Sequence, residues 1–258
     1  MSRPKRSDRA WELDFLRGVA LILMLTMHLG WDLRYEFGLD TAGFLESNWY
    51  YFWIHPLNLV LFVGVAGVCC AFSRNNLKRG LKLLAASLGF NLATYLATAY
   101  LGIDCLIIFN VLHVLTVSLF LYCLITLLEE KAGWRSESVS AVMLLAGLTV
   151  ILMGPYIGTL TGLEKMWFLY PLGVSVAGVP GQADYLPLFP WLGVFMTGAV
   201  AGRTLYKEKK TLFPVENKIL RGISAPVEFM GRHSLIIYIV HQPLLYGLCY
   251  LFCRLMRS

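Results

Sequence analysis

Charge is scarce in this chain. Only 15% of its 258 residues are Asp, Glu, Lys or Arg, while 57% are hydrophobic, and the mean hydropathy is +0.63. Soluble domains carry about a quarter charged residues, so this composition excludes a water-soluble fold. Metal-ligand spacing is also missing. The cysteines, Cys69, Cys70, Cys105, Cys123, Cys249 and Cys253, fall inside apolar runs or at their edges, and no Cys/His spacing matches a zinc site. Neither a disulfide framework nor a metal centre is expected. No internal repeat of the kind many transporters show is visible. The first apolar run is too long for a signal peptide and lacks a small-residue cleavage site, so it is expected to remain as a helix. The net charge of +6 does not indicate a nucleic-acid partner, which would want a basic face on a soluble fold.

Long apolar runs are what the chain has in their place. They lie at about Leu13 to Leu33, Tyr50 to Phe72, Gly80 to Leu101, Asp104 to Leu128, Val139 to Pro155, Pro187 to Tyr206 and Phe229 to Leu251, each near the ~20 residues a bilayer requires. The expected fold is all-α: a polytopic integral membrane bundle of about seven transmembrane helices. It forms a single domain over 1–258, with 1–10 as a basic tail. Met166 to Val179 is apolar but short and broken by Pro171, Gly173 and Gly178, which predicts a re-entrant or surface-lying element. An eighth span there would move the C-terminus to the inner side.

Lys and Arg set the orientation. Arg3, Lys5, Arg6 and Arg9, then Arg74, Lys78, Arg79 and Lys82, then Lys131 and Arg135, then Arg203, Lys207, Lys209, Lys210, Lys218 and Arg221 fall in one set of connecting segments. The other set holds Arg34, Lys165, Arg254 and Arg257. This bias predicts a cytoplasmic N-terminus in an inner, cytoplasmic membrane and, with seven crossings, an external C-terminus.

Ionisable residues within the spans are the candidates for function, because each is costly in lipid. Arg17 and His28 share the first run. Eleven helical residues turn about 20° past three full turns and rise about 16 Å, so both face one way at different depths. Asp32 lies four residues beyond His28, within helical reach, which suggests a carboxylate orienting a general base; its plainer reading is an interfacial residue in water. His113 and His241 lie in separate spans and could approach His28 in the outer half of the membrane. For His113 and Asn110, interhelical hydrogen bonding and a catalytic or substrate role weigh equally. His241 is followed by Gln242 and Pro243, and the proline leaves a backbone carbonyl that a polar pocket could use. Asp184 is either a helix cap or a carboxylate contacting a hydroxylated substrate. Arg74, Lys78, Arg79 and Lys82 fit positive-inside topology, and equally a polyphosphate site on the same side as Arg17.

The sequence Leu13-Asp14-Phe15-Leu16-Arg17-Gly18-Val19-Ala20, followed by His28, is one of several ordered elements. The others are Phe62-Val63-Gly64-Val65-Ala66-Gly67, Asp184 to Trp191, and Gly231-Arg232-His233-Ser234-Leu235 leading to His241-Gln242-Pro243. Together they resemble the bacterial members of the heparan-alpha-glucosaminide N-acetyltransferase-like family, part of a wider group of transmembrane acyltransferases. The resemblance runs from about residue 10 to 252. It implies acyl transfer across a membrane, with acetyl-CoA used from the cytoplasm and a sugar or envelope glycan as the acceptor on the far side. Similarity to acyltransferases that modify bacterial surface polysaccharides points to Arg17 and His28. In the animal lysosomal enzymes the histidine proposed as catalytic follows the first span, whereas Trp31 to Ile54 here contains none. The animal mechanism and heparan as substrate are therefore not carried over.

A thioester donor is already activated, so the protein has mainly to place the acceptor, take its proton and stabilise an oxyanion. The expected roles are donor binding for Arg17, Arg74, Lys78, Arg79 and Lys82, catalysis for His28, Asp32, His241 and His113, and acceptor binding for Asp184, Asn110 and Gln242. Direct transfer and passage through an acyl-histidine both remain open. The rival function is a small proton-coupled transporter or channel, in which the same histidines and Asp32 would line a pathway.

Overall fold

The computed structural model describes residues 10–215 and 217–257. The N-terminal basic residues Arg3, Lys5, Arg6 and Arg9 lie outside the described residues. The chain is an all-helical, polytopic membrane protein. Six helical segments among the described residues are long and apolar enough to cross a bilayer: Trp11–Glu36, Tyr50–Val68, Asn76–Leu101, Val111–Ala132, Ser136–Ile157 and Ser234–Leu255. We label the helices α1 (Trp11–Trp31), α2 (the span Tyr50–Val68), α3 (Asn76–Leu101), α4 (Val111–Ala132), α5 (Ser136–Ile157), α6 (Leu188–Leu205), α7 (Lys218–Arg232) and α8 (Ser234–Arg257).

Local chemistry sets several boundaries away from the sequence expectation. The fourth run was expected to be helical from Asp104, but α4 begins at Val111. Gly102 ends α3 in a left-handed conformation, and Asn110 opens α4 with a capping box shared with His113. The last run was expected from Phe229, yet His233 separates α7 from α8. The expected span at Pro187 to Tyr206 is an 18-residue helix, α6, with a non-helical residue, Phe189, inside it. Trp167–Leu172 forms a 3₁₀ helix ended by Gly173, too short to be a span. α2 is not a regular α-helix: π-helical turns occupy Tyr50–Ile54 and Val60–Gly64. Such turns insert an extra residue and re-aim the side chains that follow.

The chain divides into two compact units, residues 1–62 with 209–258, and residues 63–208. In the first unit α7 lies against α1 with almost no side chain between them. A Cβ on Gly18 would strike the Val227 carbonyl, and one on Gly231 would strike the Asp14 carbonyl. Small residues permit this backbone approach, which replaces the hydrophobic drive that helices lack in lipid. Glu12 ties the segment before α7 to the same helix, accepting from the Thr211 hydroxyl at 2.7 Å and the Leu212 N–H at 2.9 Å. Contacts between α1 and α8 ascend both helices in the same order: His28 with His241, Asp32 with Gln242, and Phe37, just past α1, with Tyr246. The two helices therefore run in the same sense.

The second unit is built around α6. Gly198 and Gly202 meet the carbonyls of Gly64 and Val68, and Gly193 meets that of Gly147 on α5. Arg203 closes one end of α6, donating to Glu129 Oε1 at 2.6 Å, Glu129 Oε2 at 2.8 Å and Ser136 Oγ at 2.7 Å.

Candidate active site

The strongest concentration of polar side chains in the first unit lies where α1 meets α8. The His28 and His241 rings approach to 4.9 Å between centroids, tilted by 59°. His241 is buried, and its Nδ1 lies 2.6 Å from the Tyr238 carbonyl. A carbonyl only accepts, so Nδ1 carries a proton, and in the neutral form of the ring the lone pair lies at Nε2. The same helix that supplies His241 thus sets its tautomer, through the ordinary i−3 reach of a helical side chain. Tyr238 was not anticipated from sequence, although that spacing was the available signal. Its ring also packs at 5.5 Å from His241 and 6.0 Å from Phe62.

Asp32, one turn beyond His28, is 1% exposed. It makes no hydrogen bond to His28. Its Oδ1 accepts from Gln242 Nε2 at 2.8 Å, while Asp32 Oδ2 and Gln242 Oε1 are buried without hydrogen-bond partners in the structure. Asp32 keeps helical backbone angles and its N–H bonds the His28 carbonyl, so its carboxylate shares the His28 side of α1 and meets α8 there; a π-helical turn, Asp32–Glu36, starts at this residue. On the other side of α1, buried Asn58 donates to Met27 Sδ at 3.5 Å, and its Oδ1 is likewise unpartnered. Unanswered buried acceptors are expensive in a folded protein and commonly mark where a donor-bearing molecule binds.

Arg17 shares α1 with His28, eleven residues earlier, and lies 3.7 Å from Asp14, with side-chain exposures of 21% and 6%. That separation leaves the guanidinium a loosely held cation. His233 ends α7 with Nδ1 2.9 Å from the Phe229 carbonyl, so it belongs to a helix terminus.

The remaining predicted residues lie in the second unit. His113 and Asn110 are joined in the start of α4: His113 Nδ1 is 3.2 Å from the Asn110 backbone N and 2.9 Å from Asn110 Oδ1. His113 is therefore at the first turn of its helix, not nine residues inside a span that begins at Asp104. Asp184 is half-buried in a loop pinned beside this turn. The neighbouring Ala183 and Leu186 N–H groups donate to Leu106 and Phe109 carbonyls, and Gln182 Oε1 accepts from Ile108 and Phe109. The adjacent Tyr185 stacks on Tyr170 at 4.5 Å, and burial pushes its phenol up to about 12. In the basic group, Arg74, Lys78 and Lys82 are exposed at the start of α3. Arg79 is half-buried and donates to the Ala66 carbonyl at 3.1 Å, with Cys70 Sγ at 4.0 Å. Three of these cations are thus available to a phosphate, and the fourth also ends α2. Among the described residues, no group of His, Cys, Asp and Glu is arranged to hold a metal ion.

The structure thus gathers His28, Asp32, His241 and Gln242 in one unit, and His113, Asn110 and Asp184 in the other. No curated protein and no solved structure matches the chain. The family described as heparan-alpha-glucosaminide N-acetyltransferase, catalytic, matches residues 9–243. That stretch begins just before α1 and ends just past His241 and Gln242, so it takes in every candidate residue named above, and the chain belongs to this family of membrane acetyltransferases.

Proposed function

We propose that the protein moves an acetyl group from cytoplasmic acetyl-CoA to a hydroxyl or amino group of a sugar or envelope glycan on the far side of the inner membrane. The observation that carries this reading is the meeting of His28 and His241 from two spans, beside the Asp32–Gln242 hydrogen bond. Two imidazoles and two buried, unpartnered acceptor oxygens on adjacent turns suit a substrate that brings hydroxyl or amine donors and must lose a proton.

In the proposed reaction the acceptor oxygen or nitrogen attacks the thioester carbonyl carbon while His28 takes its proton. The tetrahedral oxyanion collapses, the C–S bond breaks, and the departing thiolate of CoA receives the proton from His28. His241, its tautomer set by Tyr238, packs against His28 and offers a lone pair to the same space. Asp32 holds Gln242 beside the histidine pair. Arg17, lower on α1, would receive a phosphate of the donor, and Arg74, Lys78, Arg79 and Lys82 of the other unit are a separate candidate for the same role.

The seven-crossing topology has support in the sense of the first and last spans. Six crossings would set α1 and α8 in opposite senses. Their like sense asks for an odd number, and α6 supplies the additional crossing. The positive-inside bias then favours a cytoplasmic N-terminus.

The test is to incubate the purified protein with labelled acetyl-CoA and envelope glycans and follow the label. Transfer to glycan supports the reading. Absence of both transfer and acetyl-CoA binding in well-folded protein would overturn it. Omitting the acceptor distinguishes the routes, because retention of label on His28 would reveal an acyl-histidine.

A further inference from the structure

A second recess lies in the first unit, apart from the histidine pair. It has a volume of about 300 Å³ and is lined by Trp11, Arg221, Gly222, Ala225 and Glu228. Three features give it chemistry. Arg221 is half-buried, and its guanidinium has no hydrogen-bond or ion-pair partner among the described residues. Glu228 is buried, yet only one of its oxygens is well answered: Oε1 accepts from Ser224 at 2.7 Å, while Oε2 has Arg232 at 4.0 Å. Trp11 is anchored by its indole N–H, which donates to the Phe213 carbonyl at 2.7 Å, and by ring contact with Phe15 at 5.9 Å, so it stands as an aromatic wall of the recess. The recess therefore offers a site for an anion, a carboxylate with accepting capacity, and an aromatic surface that favours a cation.

The setting narrows the ligand. Successive residues on α7 turn by about 100°, which places Arg221, Ala225 and Glu228 along one strip, Phe229 at its border, and a second strip of Pro226, Ile219 and Ile223 beyond Phe229, towards the opposite side of the helix. The second strip and the border are bare: Ile219 is 74% exposed, Ile223 69% and Phe229 57%. In a membrane protein, such a helix lies at the interface, with its apolar strip among acyl chains and its polar strip at headgroup level. A phosphate alone would leave Glu228 Oε2 with only the distant Arg232, and a simple amine would leave Arg221 unmatched.

We propose that this recess binds the headgroup of an aminophospholipid. Arg221 takes the phosphate, the ammonium donates to Glu228 Oε2 beside Trp11, and the acyl chains leave past Phe229, which borders the recess. Because α7 meets α1 through Gly18 and Gly231, a bound lipid would brace the helix that carries Arg17 and His28. The proposal is independent of acyl transfer and requires only that the chain be embedded in a membrane.

The full-length protein is reconstituted in nanodiscs of equimolar phosphatidylethanolamine, phosphatidylglycerol and phosphatidylcholine, released, and analysed intact by native mass spectrometry for retained lipid. We expect one tightly held phosphatidylethanolamine, favoured about tenfold over either competitor, as one charge-assisted hydrogen bond would give. Arg221→Ala should lose the retained lipid, and Glu228→Gln should abolish the preference for ethanolamine while keeping phosphate-dependent retention. Equal retention of the three lipids by the unsubstituted protein would overturn the proposal, whether or not the variants fold. So would displacement of the retained lipid by CoA, which would assign the recess to the donor's phosphates.

Discussion

The two units handle the cost of polar groups in a membrane differently. In residues 63–208, backbone contacts at glycines hold α6 to its neighbours, and the partly buried cation of Arg203 is answered by both oxygens of Glu129 and by Ser136. His113 there is built into a helix start. In residues 1–62 with 209–258, two histidines face one another, and buried Asp32 and Gln242 satisfy one another only in part. Ring-to-ring pairing and unanswered acceptors add little to stability, which points to chemistry as the use of this arrangement. The complete ion pair points to holding structure.

The largest effect expected from this contrast is on catalysis. His28→Ala should lower acetyl transfer by about 10²- to 10⁴-fold, the usual range for a general base, with donor binding retained in calorimetry. His113→Ala should cost less turnover and more thermal stability, through loss of the cap. Near-normal turnover in folded His28→Ala protein would remove the contrast and shift attention to His241.

Arg203→Ala tests the structural side. It leaves Glu129 as a largely buried, unpaired carboxylate, with side-chain exposures in the pair of 11% and 16%. The expected loss is about 3 kcal/mol of stability, read as a lower denaturation midpoint, with acetyl-CoA affinity unchanged in the fraction that remains folded.

Smaller effects should follow at the hydrogen bond between α1 and α8. Asp32→Asn should reduce turnover by about tenfold, corresponding to roughly 1.4 kcal/mol, without changing donor affinity, since the base is retained and only the positioning of Gln242 is impaired. Gln242→Ala should resemble it. A variant that changes thermal stability but not turnover would make this pair structural as well and weaken the distinction between the units.

The smallest effect concerns the loop after α1. Glu46 accepts from the Tyr35 hydroxyl at 2.9 Å and from Arg34 at 3.0 Å. The Tyr35 hydrogen bond, followed by Arg34, holds its carboxyl below the ordinary value of 4.5. A lowered folded pKa means that this contribution is complete above the ordinary value and is lost as pH falls through the folded one. Limited proteolysis between Gly38 and Ser47 should therefore quicken only below about pH 4.5, with no change near neutrality, and Glu46→Gln should remove that pH dependence.

Hydropathy and residue order determined the membrane class, the positions of most spans and the presence of Arg17 and His28 on α1, because the length of an apolar run and helical periodicity are local properties. The family was legible for the same reason: its elements are ordered along the chain. Tertiary structure alone decided which polar groups meet. Periodicity placed Asp32 near His28, but the approach of α8 gave Asp32 to Gln242 instead. His113 looked deep within a span until the Asn110 cap started its helix at Val111. Helical spacing specifies a face, whereas the residue that answers it from another helix depends on backbone winding, glycine contacts and register across more than 200 positions of chain.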